Sequence, residues 1–165
     1  MDHWIINIAL VLFAFFGMEA VAWFTHKYIM HGIFWYFHKD HHVKDHEGFF
    51  EKDDFFFLLF ATPGIICLAL GSFYAVPYVF YIGLGITLYG FTYFLVHDIF
   101  IHQRFKMFRK SDHWYFKALR RAHKMHHKHT GKEDGECFGM LWVPFKYYWE
   151  SRKQKNQEQA NTTNS

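Results

Sequence analysis

The chain has 165 residues, about the length of one domain, and 52% of them are hydrophobic and 23% aromatic. Its net charge of +3 and isoelectric point near 8.8 do not indicate nucleic-acid binding, because all 18 Lys and Arg residues lie between Lys27 and Lys52 or between Arg104 and Lys155. Long segments without cations that alternate with basic segments are typical of an integral membrane protein.

Three apolar segments are predicted to span a membrane. The first runs from Trp4 to Thr25 and contains a single charged residue. The 43 residues from Phe55 to His97 contain no Asp, Glu, Lys or Arg. They could cross a hydrocarbon layer of about 30 Å twice. We expect spans at Phe55–Phe73 and Val79–Val96, joined by a turn near Gly71–Pro77.

The basic residues predict how these spans are oriented. Cations concentrate in cytoplasmic loops, so residues 27–52 and the chain from Arg104 onward are expected on the cytoplasmic side, with the N-terminus on the other side. Pro63 predicts a kink in the second span, and a hairpin that re-enters the membrane is the alternative to a full crossing. The sequence thus predicts an all-α fold, an integral membrane helical bundle of three or four membrane-embedded helices with additional helices at the cytoplasmic surface.

The C-terminal third is predicted to lie outside the hydrocarbon layer. Residues 105–127 mix aromatic and basic side chains, which favours a helix lying against the headgroups. Residues 151–165 contain no large apolar side chain and are predicted to form a disordered polar tail. The membrane-embedded domain is therefore expected to comprise residues 1–150.

Fourteen histidines are present, and ten of them form a pattern that occurs twice. Each copy has a pair of histidines five residues apart, followed by a trio with the spacing HxxHH. The first copy consists of His26, His31, His38, His41 and His42, and the second of His97, His102, His123, His126 and His127.

This pattern predicts a two-metal centre. At 100° per residue, an α-helix places each trio within an arc of about 100°. Histidines five residues apart are separated by about 140°, so each pair either straddles two adjacent metals or has a helix end between its members. Ten imidazoles exceed the roughly four ligands of zinc or six of an octahedral ion. The alternative is that these rings simply rest at the membrane interface.

Several other polar residues are candidates for hydrogen bonds to the ligands. Glu19 precedes His26 by seven residues and lies near the same helix face. It either orients that imidazole through its second nitrogen or is a neutral, hydrogen-bonded core acid. The weaker candidates are Asp40, Asp98, His46 and His129. No such role is expected for His3 or His113.

Four stretches resemble the bacterial beta-carotene hydroxylases of the fatty acid hydroxylase superfamily. They are GMEAVAWFTHKYIMHG (17–32), HKDHH (38–42), HDIFIHQRF (97–105) and AHKMHHKHTGKEDGECFGML (122–141). The resemblance implies hydroxylation of carbon 3 of the beta-ionone rings of beta-carotene, through cryptoxanthin to zeaxanthin, with O2 and two electrons. It also implies two non-haem iron ions held by the ten histidines, and a bacterial inner membrane location.

The chemistry of the residues is compatible with this resemblance but leaves rivals open. Imidazole suits several metals, and iron is favoured because attack on an unactivated C–H bond requires a redox-active ion. Since the chain has no flavin or nicotinamide fingerprint, the electrons are expected from a separate donor such as a ferredoxin with its reductase. A fatty acyl or sterol hydroxylase or desaturase is the closest rival, and a haem- or zinc-binding membrane protein is a non-enzymatic one. The sequence does not predict the oligomeric state.

Overall fold

The computed structural model describes residues 3–43, 47–105, 107, 111 and 113–163. His46, one of the candidates named above, lies outside the described residues. Across the described part of the chain the regular structure is helical, without strands, as predicted. The elements are α1 (His3–Phe24), π1 (Thr25–Ile33), α2 (Trp35–His42), α3 (Asp54–Phe73), α4 (Pro77–Phe94), π2 (Leu95–Ile101), α5 (Trp114–His126) and α6 (Phe145–Thr163).

Three helices are long and apolar enough to cross a membrane, which confirms the prediction of three spans. They are α1 continued by π1 (His3–Ile33), α3, and α4 continued by π2 (Pro77–Ile101). Many large apolar side chains on them are exposed, including Phe13 at 77% and Leu58 at 63%. Such a surface suits lipid rather than water, so the chain is a membrane helical bundle.

The helix α4 lies between α1 and α3 and packs against both. Glycines permit the close approach. A Cβ atom at Gly85 would lie 2.7 Å from the Cβ of Ala14 on α1, and one at Gly83 would lie 2.7 Å from the backbone nitrogen of Leu68 on α3. Small residues at such contacts are typical of helix packing in membranes.

The second and third spans are joined as the sequence predicts. The helix α3 ends at Phe73, Ala75 has a φ of 52°, and Pro77 begins α4. Pro63 lies inside α3, which continues through it for its full 20 residues. That length is sufficient for a complete crossing.

The helices outside the spans differ from the prediction in their limits. The helix expected over residues 105–127 begins only at Trp114, and α6 continues to Thr163 where a disordered tail was expected from residue 151. A buried core joins π2, α5 and α6 to the segment that precedes α6. Its members are Val96, Ala118, Leu119, Ala122, Met140, Val143 and Tyr147. The division into a domain of residues 1–150 and a tail stays a prediction.

Candidate metal centre

The ten histidines of the repeat meet at one end of the bundle and form two groups. In each group, one ring nitrogen of every member lies within 4.8 Å of the others. The first group, called cluster 1, consists of His26, His31, His38, His42 and His126. The second, called cluster 2, consists of His41, His97, His102 and His123. His127 adjoins cluster 2, with its Nε2 2.8 Å from the Nε2 of His123.

His26 and His31 lie on π1, and His97 lies on π2 with His102 directly after its end, which corrects the angular argument made from the sequence. A π-helix has i→i+5 hydrogen bonds, so residues five apart lie near one face. The amide of His102 donates to the carbonyl of His97 at 2.8 Å in this way. His26 and His31 therefore belong to one cluster, as do His97 and His102. The pairs do not straddle the two clusters, because the backbone is not α-helical there.

The two repeats exchange one histidine. His38 and His42 of the first trio join cluster 1, whereas His41 joins cluster 2. The second trio does the converse, since His123 lies in cluster 2 and His126 in cluster 1. Each cluster thus takes ligand candidates from both repeats, and the two clusters are related by an approximate twofold correspondence.

The Nε2 atoms face one another inside each cluster. In cluster 1 they are 3.0 Å apart for His26 and His38, and 3.3 Å for His31 and His126. In cluster 2 the distance between His41 and His97 is 3.1 Å. Two nitrogens that bind one ion at about 2.0–2.1 Å and at right angles are about 3 Å apart. The spacing is therefore that of adjacent ligands on one metal ion.

In cluster 1 the Nδ1 atoms point outward, mostly to backbone carbonyls. His26 donates to Phe138 O at 3.0 Å and His126 to Glu136 O at 2.8 Å, and His38 donates to the Asp53 carboxylate at 2.6 Å. The remaining two acceptors are also carbonyls, those of Lys132 for His31 and His129 for His42. Because carbonyls only accept, the proton of the four histidines that face them lies on Nδ1, and their Nε2 lone pairs face the cluster.

In cluster 2 the Nδ1 atoms of His41 and His97 face carboxylates. His41 Nδ1 donates to Glu51 at 2.9 Å, and His97 Nδ1 approaches Asp98 at 3.4 Å. Arg104 holds both acids, with ion pairs of 3.0 Å to Glu51 and 3.3 Å to Asp98, and a third of 2.7 Å to Asp54.

Five of the imidazoles outside the spans have a lowered pKa, which favours the neutral form that metal binding requires. Burial, together with neighbouring rings, lowers the pKa of His42 to about 4, of His127 to about 3 and of His126 to about 2. Burial likewise lowers the pKa values of His41 and His123 well below the ordinary value. Neutral imidazole is the ligand form for iron, zinc, copper and nickel. These buried clusters are thus compatible with metal binding.

Of the candidates outside the repeat, only some contact a ligand candidate, and not always through the expected group. Asp98 does approach a ligand candidate, and His129 takes part through its carbonyl rather than its ring. Asp40 accepts a hydrogen bond from Lys52 N at 2.7 Å, while its buried Oδ1 has no partner among the described residues. A bond to His26 was one of the two alternatives for Glu19, and the acceptor of His26 Nδ1 is Phe138 O instead.

Glu19 is buried and accepts hydrogen bonds from another part of the chain. Its Oε1 receives the backbone N–H groups of Met140, Leu141 and Trp142 at 2.9–3.1 Å, and its Oε2 receives the hydroxyl of Tyr89 at 2.7 Å. The acid therefore attaches the segment before α6 to α1 and α4.

Sequence reasoning missed Glu51, Asp53 and Arg104. A signal existed for the acids, because they directly precede a span whose near end was expected on the same side as the histidines. The carbonyl acceptors left no signal, since any residue type provides a backbone carbonyl.

A cavity of about 450 Å³ lies between α1, α3 and α4 and reaches cluster 2. Its wall is apolar and aromatic over most of its length, and the polar lining residues at one end include His97, Asp98 and Arg104. Three other lining residues, Phe57, Ile65 and Phe91, are 54–62% exposed on the apolar outer surface. The cavity thus connects the lipid-facing surface with one of the two clusters.

Known proteins match most of the chain. The model of the fatty acid hydroxylase family matches residues 11–149. A beta-carotene hydroxylase of Pantoea ananas is 42% identical over 86% of this chain and 79% of its own length, and one of Paracoccus sp. (strain PC1) is 35% identical over 87% and 86%. A chloroplastic beta-carotene 3-hydroxylase of Gentiana lutea is 37% identical over 84% of this chain and 43% of its own length. No solved structure matches. The chain belongs to the fatty acid hydroxylase family and is similar to the beta-carotene hydroxylases.

Proposed function

We propose that the protein is a non-haem di-iron membrane monooxygenase that hydroxylates carbon 3 of the beta-ionone rings of beta-carotene, by way of beta-cryptoxanthin to zeaxanthin. The observation that carries the proposal is the apolar cavity that ends at His97 of cluster 2. It provides an apolar binding site directly beside a group of metal-ligand candidates. The names of the relatives supply the substrate.

In this proposal each cluster holds one iron ion, and His127 completes cluster 2. The two ions would supply the two-electron activation of O2 that insertion of oxygen into a C–H bond requires. The chain's own residues fix the geometry, because each hydrogen bond from Nδ1 sets the tautomer and the ring orientation. Arg104 forms ion pairs with Glu51, Asp54 and Asp98, which offsets part of the repulsion among these buried acids.

In this proposal the cavity takes the beta-ionone ring from the lipid and places it at the end that His97 and Asp98 line. Tyr93 lines this end, with its ring centroid 4.9 Å from that of His97. Gly90 lines the cavity where a Cβ atom would meet no neighbour within 4 Å, which leaves room for a bulky substrate. The ring enters from the bilayer past Phe57 and Phe91, and the polyene remains outside among the acyl chains.

The remaining partners follow from the same proposal. A ferredoxin with its reductase donates the two electrons. The protein lies in a bacterial inner membrane with its N-terminus extracytoplasmic, and with the histidine clusters and the C-terminus on the cytoplasmic side. Phosphatase fusions test this orientation: a fusion after Ser165 should be inactive, and an active one would contradict it.

Expression in cells that accumulate beta-carotene tests the activity. We expect cryptoxanthin and zeaxanthin in the extracted pigments. Unchanged pigments with newly hydroxylated or desaturated fatty acyl chains or sterols would instead favour the rival lipid enzyme. An intense Soret band in the purified protein would favour a haem protein.

A further inference from the structure

The segment 138–145 connects the metal centre to α6 and consists of Phe, Gly, Met, Leu, Trp, Val, Pro and Phe. It carries no charge and is not helical before Phe145. Its first residue contacts cluster 1, since Phe138 O accepts the hydrogen bond from His26. Two of its side chains are largely exposed, Trp142 at 68% and Phe145 at 89%, and Trp149 on the first turns of α6 is 75% exposed.

The N–H groups of residues 140–143 in this segment are satisfied by side chains rather than by helix or sheet bonds. The N–H groups of residues 140–142 donate to Glu19, and that of Val143 donates to the hydroxyl of Tyr148 at 3.2 Å. The carbonyl of Leu141 accepts from Tyr115 at 2.9 Å, and residue 144 is a proline without an N–H group. Non-helical backbone is stable within a bilayer only when protein groups satisfy it in this way.

The segment also lies at the level of the membrane along α1. Trp142 stacks on Phe16, with ring centroids 6.3 Å apart and an interplanar angle of 27°. Phe16 precedes Trp23 by seven residues, which is about 10 Å along the helix. Lys27 lies over the rings of Trp23 and Tyr28 at 5.0 and 5.1 Å, an arrangement that marks the membrane interface. Trp142 is therefore two helical turns further into the apolar part of the span than this interface.

Gly139 explains how the segment comes so close to a buried acid. A Cβ atom there would lie 3.1 Å from Glu19 Oε1 and 2.6 Å from the carbonyl oxygen of Trp142. Only glycine allows the chain to turn over the carboxylate at this distance.

We propose that residues 138–145 form a re-entrant segment that inserts into the leaflet nearest the metal centre, with Trp142, Phe145 and Trp149 in contact with acyl chains. Glu19 is the acceptor inside the membrane that makes this insertion possible. The lipid contact is continuous with that of α1, because Phe16 itself is 50% exposed beside Trp142. The proposal does not depend on the substrate of the enzyme.

A nitroxide label tests the insertion. Phe145→Cys is labelled in a background with Cys67→Ser and Cys137→Ser, and the protein is reconstituted in vesicles of phosphatidylcholine and phosphatidylglycerol. We expect the label to be accessible to oxygen but not to a water-soluble nickel chelate, like a label at Leu58→Cys on α3. A label at Glu133→Cys, on an exposed residue before the segment, should show the opposite. Accessibility to the chelate at 145 would overturn the proposal. Protection from both reagents would also overturn it, because another protein surface would then cover the segment.

Fluorescence gives a second measurement that keeps both cysteines. In vesicles whose acyl chains are brominated near the middle, the tryptophans in contact with these chains are quenched. Trp142→Phe should reduce the part of the fluorescence that the brominated lipid quenches. The fluorescence that remains in brominated vesicles should equal that of the unsubstituted protein. If Trp142→Phe removed only unquenched fluorescence, Trp142 would lie outside the acyl chains and the proposal would fail.

Discussion

Clusters 1 and 2 contain corresponding histidines of the two repeats, yet their surroundings differ. Four of the five histidines of cluster 1 donate to backbone carbonyls, and His38, which donates to Asp53, is the exception. In cluster 2, His41 and His97 face the carboxylates of Glu51 and Asp98 instead. Only cluster 2 has a member, His97, among the residues that line the apolar cavity.

This difference separates the roles of the clusters in the proposed enzyme. A carboxylate acceptor makes an imidazole a stronger donor to its metal than a carbonyl does, which favours the higher oxidation states. Cluster 2 therefore combines more basic ligands with access to substrate. Cluster 1 depends instead on the exact course of residues 129–138, which supply its carbonyls.

Removal of the exchanged histidines should have the largest effect. His41→Ala and His126→Ala should each reduce zeaxanthin formation by more than about 1000-fold, because the ligands act as one unit and the loss of one disables the whole centre. Iron analysis should show loss from cluster 2 in the first variant and from cluster 1 in the second. The double variant should lose little further activity.

The control for this experiment is His3→Ala. His3 begins α1 and lies 23 residues before His26, about 35 Å along the helix. Turnover and iron content should be unchanged. Full activity and both iron ions in His126→Ala would show that the two repeats do not share a centre.

Blocking the cavity should affect substrate binding without affecting either cluster. Gly90→Leu places a large side chain in the open space beside Gly90 and should lower turnover of beta-carotene by about 100-fold at limiting substrate, while iron content stays at the wild-type value. Gly90→Ala adds one methyl group to the same space and should cost less than about threefold. Equal activity of the two variants would place the substrate elsewhere.

Substitution of a carboxylate that accepts from cluster 2 should have a smaller effect, and one that is specific to that cluster. Glu51→Gln replaces an anionic acceptor of His41 with a neutral one and removes an ion pair with Arg104. Substitution of a residue that hydrogen-bonds a metal ligand costs about 10- to 100-fold in metal affinity or activity. Glu47→Gln, a substitution at an exposed position four residues earlier, is the matched control and should be neutral. If Glu51→Gln retained as much iron as the unsubstituted protein, the carboxylate acceptors would not distinguish cluster 2 from cluster 1.

The sequence predicted the three apolar helices and singled out the ten histidines that the structure brings together, because hydrophobic runs and spacing are local properties of the chain. That these histidines bind metal stays a prediction. The sequence failed for His26 with His31, since the 140° separation assumed α-helical geometry and nothing in six residues distinguishes a π-helix. For Glu19 it left open whether the acid orients His26 or is a hydrogen-bonded core acid, and the structure has a buried, hydrogen-bonded acid. Spacing to His26 is visible in the sequence, but its four hydrogen-bond donors lie 70 to 123 residues away.

The smallest expected effect concerns Glu19, which connects cluster 1 to the bundle only indirectly. Its carboxylate anchors residues 140–142, and residues 136–138 just before them supply the carbonyl acceptors of His26 and His126. Glu19→Gln keeps one oxygen for these three N–H groups but removes the charge. A hydrogen bond to a charged acceptor is stronger by about 1 kcal/mol than one to a neutral acceptor, so we expect an approximately fivefold to tenfold loss of iron affinity at cluster 1.

Double variants place this effect on one cluster. Added to His41→Ala, which leaves cluster 1 occupied, Glu19→Gln should lower the remaining iron content. Added to His126→Ala, which has already disabled cluster 1, it should change nothing, because coupling is expected only between groups that share a structural unit. Tyr89→Phe removes the fourth hydrogen bond to Glu19 but leaves its charge and its bonds to residues 140–142, so it should affect iron content less than Glu19→Gln does. An equal loss of iron in both double variants would mean that Glu19 stabilises the whole bundle rather than the segment that positions cluster 1.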